Sequence, residues 1–342
     1  MPLPGLASAR VRCWHGWQNT AAEILTSPDR GSLGWVAYAP ASLHLPGDRM
    51  RARIRDTEIY FDIDGMGLAP DGPRMREKPT AFIIHGGPGS DHTDFKTALG
   101  PLTDKMQLVY FDHRGQGRSA HGDPATYTLD ENVEDMEALR RHLGLGSIVS
   151  IGTSYGGMVA MAHAARYPDV VSHLILVVTA AHAGFNARAK EIVAQRGTAE
   201  QVAACDDLWA GRLDTQAKLR RYYEVMGPMY AYKYDPALAK LGLDRRILAP
   251  EPLNRAFAPG GFLRRFDLRP ELGSITAPTL ILAGRHDWIC APEFSEEIHR
   301  LIPGSDLRIF ENSSHSVRGD ETQLFLDAVA GFLVYKTREP RR

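Results

Sequence analysis

"SIVSIGTSYGGMVAMAHAAR" (147–166) is the stretch on which the fold turns. Ile148, Val149 and Ile151 read as a short buried strand. Met158, Val159, Met161 and Ala162, with no Gly or Pro after Gly157, read as a helix. Between them stands Gly152-Thr153-Ser154-Tyr155-Gly156, a lone serine with a glycine two residues to either side. A strand that turns at once into a helix forces its apex residue into strained backbone angles. Glycines at the −2 and +2 positions remove the Cβ atoms that would collide as strand and helix close together. Such a turn lifts Ser154 Oγ clear of the sheet. It also leaves the Tyr155 amide free at the N-terminus of the new helix, where developing negative charge is favoured. An ordinary strand-to-helix turn would also use Gly and Ser, so the rest of the chain has to discriminate.

Outward from that stretch the pattern repeats. "TAFIIHGG" (80–87), "QLVYFDHRG" (107–115), "SHLILVVTA" (172–180), "PTLILAG" (278–284) and "DLRIFENSSH" (306–315) are further apolar strand segments. Continuously apolar strands separated by helical segments predict a mostly parallel central sheet, buried on both faces by helices. "RARIRDTEIYFDIDG" (51–65) alternates in part and predicts a strand pair ahead of a polar turn at 67–79. Thr128 and Glu131 suit a capping box opening a helix over 129–143, with Val133, Met136, Leu139 and Leu143 on one face and Gly144 as its C′ residue. A last helix, about 320–335, places Leu324, Phe325, Ala328, Val329 and Phe332 on one side.

Residues 181–274 break the alternation and hold only helical patterns. They predict a helical cap inserted over the carboxyl edge of the sheet. The expected organisation is therefore an α/β core over 50–180 and 275–342, a cap over 181–274, and an N-terminal extension over 1–49 with no clear period.

Composition narrows the function classes. The 342 residues carry 40 basic and 41 acidic side chains, a balance that suggests neither nucleic acid nor an anionic membrane as partner. No apolar run approaches the roughly 18 residues of a membrane span. "MPLPGLASARVRCWHGW" lacks the apolar region of a secretory signal. Cys13, Cys205 and Cys290 are too few and too scattered for a disulfide framework or a zinc site. A reducing, cytoplasmic setting is expected. The sequence contains no phosphate-binding G-x-x-x-x-G-K-[ST] loop and no G-x-G-x-x-G, so neither metal nor nucleotide nor flavin cofactor is expected.

A raised serine needs a base, an orienting acid and donors for an oxyanion. In an α/β-hydrolase fold these follow the chain order Ser, Asp/Glu, His, and all lie just past strand ends, where open parallel sheets bind ligands. Strand 278–284 is followed by Asp287, the acid candidate, and strand 306–311 by His315, the base candidate among 13 histidines. His286 is the competing base but stands on the wrong loop; Asp306 and Asp320 are the less well placed acids. Backbone N–H groups of "HGGPG" (85–89), with that of Tyr155, can supply the oxyanion donors.

Three blocks carry a specific resemblance: His85-Gly86-Gly87-Pro88-Gly89, Phe111-Asp112-His113-Arg114-Gly115-Gln116-Gly117-Arg118-Ser119, and Gly152-Thr153-Ser154-Tyr155-Gly156-Gly157. The set resembles the signatures of proline iminopeptidases and their relatives, α/β-hydrolases with a helical cap. The resemblance covers about 80–180 and 275–335. It implies Ser154 as nucleophile, Asp287 as acid, His315 as base, and the Gly87 and Tyr155 amides as oxyanion hole. His113 stands where the family usually has glutamine. The implied reaction is hydrolysis through an acyl-enzyme, releasing N-terminal residues from small peptides. The alternative is a carboxylesterase, lactonase or amidase acting on a small-molecule ester or amide. A third reading is a hydrolase-fold protein that binds without turnover. The aminopeptidase reading requires a carboxylate for the free α-amino group. Glu224, flanked by Tyr222, Tyr223 and Tyr230, is the candidate, with Tyr223 lining the pocket beside it. Glu251, Asp206 and Asp207 are its competitors, and Trp209, Tyr232 and Phe262 are further pocket candidates.

Overall fold

The computed structural model describes residues 50–336. The N-terminal extension expected over 1–49 lies outside the described residues. Among the described residues there are ten strands: β1 (Arg51–Ile54), β2 (Thr57–Asp64), β3 (Leu68–Asp71), β4 (Arg74–Glu77), β5 (Thr80–Ile84), β6 (Gln107–Phe111), β7 (Ile148–Thr153), β8 (Val171–Val177), β9 (Thr279–Gly284) and β10 (Asp306–Phe310). Eight of them form one sheet in the order β1-β2-β6-β5-β7-β8-β9-β10. The β1–β2 and β2–β6 pairs are antiparallel; every pair from β6 to β10 is parallel. The 67–79 segment, expected as a turn, folds as the exposed β3–β4 hairpin. Its Met75 and Leu68 side chains face solvent, so no burial periodicity betrays it.

The helices are α1 (Thr93–Leu99), α2 (Leu129–His142), α3 (Tyr155–Arg166), α4 (Phe185–Arg196), α5 (Ala199–Trp209), α6 (Gln216–Tyr230), α7 (Pro236–Arg245), α8 (Pro250–Phe257), α9 (Pro292–Leu301), α10 (Val317–Asp320) and α11 (Thr322–Lys336). Strand side chains alternate between two cores, as the two-residue period dictates. Phe82 and Ile84 pack with Val133, Met136 and Met158 of α2 and α3. Ala81 and Ile83 pack with Phe95 and Leu99 of α1 and Phe325 and Val329 of α11. Each of these Phe, Ile, Val, Leu and Met side chains, fully buried, contributes about 1.5–3 kcal/mol. That two-sided burial is why the strands read as unbroken apolar runs. On α11 one expectation fails: Leu324 is 58% exposed, one helical step off the stripe that Phe325, Ala328, Val329 and Phe332 bury.

Thr128 caps α2 by accepting from the Glu131 amide at 3.2 Å. The reciprocal half of the expected box is missing, because the Glu131 carboxylate is drawn to Arg55 at 2.7 Å. Gly144 ends the helix with φ +65°, as a C′ glycine should.

Residues between β8 and β9 carry the five helices α4–α8 and no strand of the sheet. The Ala249 amide donates to Gly89 O at 3.0 Å, tying this insertion to the loop after β5. No helix among the described residues is long and apolar enough to cross a membrane.

Candidate active site

β7 ends at Thr153 and α3 begins at Tyr155, leaving Ser154 alone at the junction with φ 55° and ψ −122°. A non-glycine residue in that region is strained and persists only where its surroundings hold it. Here they do: the Ser154 amide donates to Val177 O at 2.9 Å, and Thr179 Oγ1 donates to Ser154 O at 2.7 Å. The flanking glycines are required by contact. A Cβ on Gly156 would lie 2.1 Å from Ile84 O, and one on Gly152 would lie 2.3 Å from Gly156 O. Both obstacles are backbone and cannot swing away. Gly156→Ala is therefore expected to destabilise the protein by about 3 kcal/mol or more, read as a fall in the denaturant midpoint. A midpoint unchanged within error would mean that the junction of strand and helix has room for a methyl group.

The loop after β5 passes directly beside the serine. A Cβ on Gly86 would sit 3.1 Å from Ser154 Cβ and 3.7 Å from its Oγ. Gly87 follows with φ +118°, a conformation natural only to glycine. Neither the Gly87 nor the Tyr155 amide donates to any acceptor among the described residues. The Gly89 amide, by contrast, is taken by Gln116 Oε1 at 2.7 Å, so the 111–119 block pins this loop from below. Within that block Asp112 accepts from the His92 amide (2.9 Å), His92 Nδ1 (2.7 Å) and the Arg118 amide (2.8 Å). Arg114 forks onto Asp135 at 2.6 and 2.7 Å. These are architectural contacts.

His85 is architectural too. The His113 amide donates to its Nε2 at 3.2 Å, so its proton resides on Nδ1, which donates to Gly86 O at 2.8 Å. Burial pulls its pKa below the ordinary histidine value. His113, in the position the family usually gives to glutamine, packs tilted against His85 with centroids 4.4 Å apart, and burial pulls its pKa well below the ordinary histidine value.

Asp287, just past β9, is fully buried. Its Oδ1 accepts from the Ile289 and Cys290 amides at 2.8 and 3.1 Å, and its Oδ2 faces His315 Nδ1 at 2.8 Å. His315 follows β10. Its ring meets that of Tyr230, from α6, edge-on with centroids 5.7 Å apart. Ser154 and His315 line one cavity of about 130 Å³, together with Gly87 and Tyr155.

The competing residues fall elsewhere. His286 stacks on Tyr232 with centroids 4.7 Å apart and does not line the cavity. Asp320 accepts from the Ser314, Tyr232 and Lys233 amides, which fixes the loop that carries His315. Asp306 starts β10, at the far end of that strand from His315.

One expected substrate-binding residue is corrected. Glu224 does not line the cavity; its side chain is 46% exposed, with Arg221 the nearest cation at 3.9 Å. The neighbouring helix positions Tyr222 and Tyr223 turn into the cavity, and one further step of about 100° carries Glu224 out to solvent. Tyr223, Trp209 and Tyr230 line the cavity. Asp206 and Glu251 are exposed, and Asp207 is bound to Arg212 at 2.6 Å. Tyr232 is 46% exposed, while Phe262 packs on Tyr155 with centroids 5.9 Å apart. Sequence reasoning missed Asp94, Arg246 and Arg318, all of which reach the cavity wall.

A family model described as the alpha/beta hydrolase fold matches residues 79–321. The chain belongs to that family. Its similarity to individual members is also specific. It is 30% identical over 281 residues to proline iminopeptidase PfmaB of Pestalotiopsis fici, covering 80% of this chain and 98% of that protein. It is 29% identical over 274 residues to the proline iminopeptidase of Saccharolobus solfataricus, covering 73% of this chain and 83% of that one. Within the family this hydrolase is thus proline-iminopeptidase-like. A solved esterase from Exiguobacterium antarcticum superposes with a TM-score of 0.66 at 21% identity, over 83% of this chain and 99% of the esterase, a likeness of fold.

Proposed function

We propose that the hydrolase transfers the acyl group of a small peptide, amide or ester to Ser154 and thence to water. The observation that carries this is the His315 imidazole, in the same cavity as Ser154 and held by Asp287 at 2.8 Å. A carboxylate on Nδ1 fixes the proton there and leaves Nε2 free to act as base. His315 Nε2 takes the Ser154 hydroxyl proton as Oγ attacks the carbonyl carbon. The tetrahedral oxyanion forms against the Gly87 and Tyr155 N–H groups, whose lack of other acceptors suits them to it. The protonated His315 then gives its proton to the leaving amine or alcohol. Water repeats the sequence on the acyl-enzyme, releasing the acid and restoring the Ser154 hydroxyl.

Two substrate classes fit this chemistry. Likeness to proteins named proline iminopeptidases supports release of an N-terminal residue from small peptides. The second class, small esters and amides that need no carboxylate partner for an amine, is favoured by Glu224 facing solvent and by Asp91 and Asp94 on the cavity wall being already held by Arg118 and Arg246. One experiment tests both levels. A fluorophosphonate should label the protein once, on the peptide containing Ser154. Labelling elsewhere, or none, rejects the mechanism. Turnover of a prolyl arylamide that disappears when the proline nitrogen is blocked selects the aminopeptidase. Turnover of short-chain esters without arylamide cleavage selects the esterase.

A further inference from the structure

Asp91, Asp94, Arg246 and Arg318 line the cavity, and of these four only Arg318 makes no ion pair with a described residue. Asp91 is bound by Arg118 at 2.9 Å, and Asp94 is bound by Arg246. Arg318, on α10 one turn beyond His315, also lines the cavity. Its guanidinium lies over the Phe95 ring at 4.3 Å and makes no hydrogen bond or ion pair with any described residue. Asp94 attracts it from a distance but is already held by Arg246, whose own charge repels it. A partly buried cation without an anion is costly unless a ligand supplies one.

The groups around Arg318 suit an anionic guest. Contacts run in a chain from His315 to Tyr230 (5.7 Å), to Tyr223 (6.1 Å) and to the Arg246 guanidinium (5.4 Å), which links the cationic wall to the reacting centre. Burial raises the pKa values of Tyr222, Tyr223 and Tyr230, so their hydroxyls stay protonated and can donate. We propose that this cavity takes substrates bearing a free carboxylate, which the Arg318 guanidinium receives within a few bonds of the carbonyl that Ser154 attacks. The inference rests on the acyl-transfer reading above. A planar guanidinium fork matches a carboxylate in shape and in charge. A phosphate dianion would bring two charges to a single unpaired guanidinium. The carboxylate has two possible sources: the acyl part, as in the half-ester of a dicarboxylic acid, or the departing part, as in the C-terminus of an N-acyl amino acid. The same unmatched cation repels an ammonium group.

The test uses aryl alkylphosphonates that label Ser154, in two matched pairs. In one pair the alkyl chain ends in a carboxylate or in its uncharged carboxamide. In the other the departing phenol carries a 4-carboxylate or a 4-carboxamide. The wild-type protein should react roughly 10- to 100-fold faster with the carboxylate member of one pair; which pair shows the preference identifies the source. Arg318→Gln should erase that preference, bringing the two members of the pair to equal rates, with the melting temperature little changed. Arg318→Lys, which keeps the charge but loses the fork, should restore part of it. Equal rates within both pairs for the wild-type protein overturn the proposal while the nucleophile stands, with no variant needed. A preference that survives in Arg318→Gln also overturns it. No labelling of Ser154 by any probe is the separate failure of the acyl-transfer reading.

Discussion

Ser154→Ala should lower kcat/KM by roughly 10⁶-fold, the scale on which serine hydrolases lose activity when the nucleophile goes. The methyl group keeps the volume and the backbone of the turn. The Val177 and Thr179 contacts that hold residue 154 involve its amide and carbonyl, not its hydroxyl. Stability should therefore change by no more than about 1 kcal/mol, because alanine meets the same positive-φ strain that serine does. The pairing of these two readouts is diagnostic. Lost activity with an unchanged melting curve assigns the hydroxyl a chemical role. Loss of both would instead point to a collapsed turn, and Gly156→Ala provides the reference for that collapse. Retained turnover in Ser154→Ala, after excluding a contaminating hydrolase by mass spectrometry, would remove Ser154 from the reaction altogether.

The parts of this site that could be read from sequence are those fixed by local rules. Ser154 stands out because a strand-to-helix junction that tight requires Gly152 and Gly156, and both requirements are visible as residue types. Asp287 and His315 follow strands whose apolar runs are unmistakable, and parallel sheets put their ligand-binding loops at one edge. Glu224 was misplaced because its direction depends on how α6 is rotated against the rest of the protein. Flanking tyrosines are equally compatible with a glutamate that faces in or out. Arg318 was invisible for a related reason. What distinguishes it is the absence of an ion-pair partner among the described residues, and that depends on Arg246 meeting Asp94 across 152 residues of chain. The β3–β4 hairpin escaped because exposed strands carry no burial pattern. Local turn chemistry and two-sided burial are written in the sequence; pairing between distant side chains is not.

Asp287→Asn should reduce kcat/KM by about 10⁴-fold, the size of effect seen when the carboxylate of a serine–histidine–aspartate set becomes an amide. The reason lies in the hydrogen bonds around residue 287. Oδ1 accepts from two amides, Ile289 and Cys290, while Oδ2 receives His315 Nδ1. Asparagine has one oxygen, and two backbone donors on a buried loop claim it. Its NH₂ must then face His315 Nδ1, which can meet a donor only by giving up its own proton. The imidazole proton moves to Nε2, and the nitrogen needed to take the Ser154 proton is already occupied. Substrate binding should be little affected, because residue 287 does not line the cavity. The loss is therefore expected in kcat with KM nearly constant, and fluorophosphonate labelling should slow in parallel. Asp287→Ala offers a contrast: it also loses the carboxylate but places no opposing donor on Nδ1, so it should retain more activity than asparagine if stability is preserved. An asparagine variant as active as the wild type would show that His315 does not depend on Asp287 for its tautomer, and another base would have to be found for Ser154.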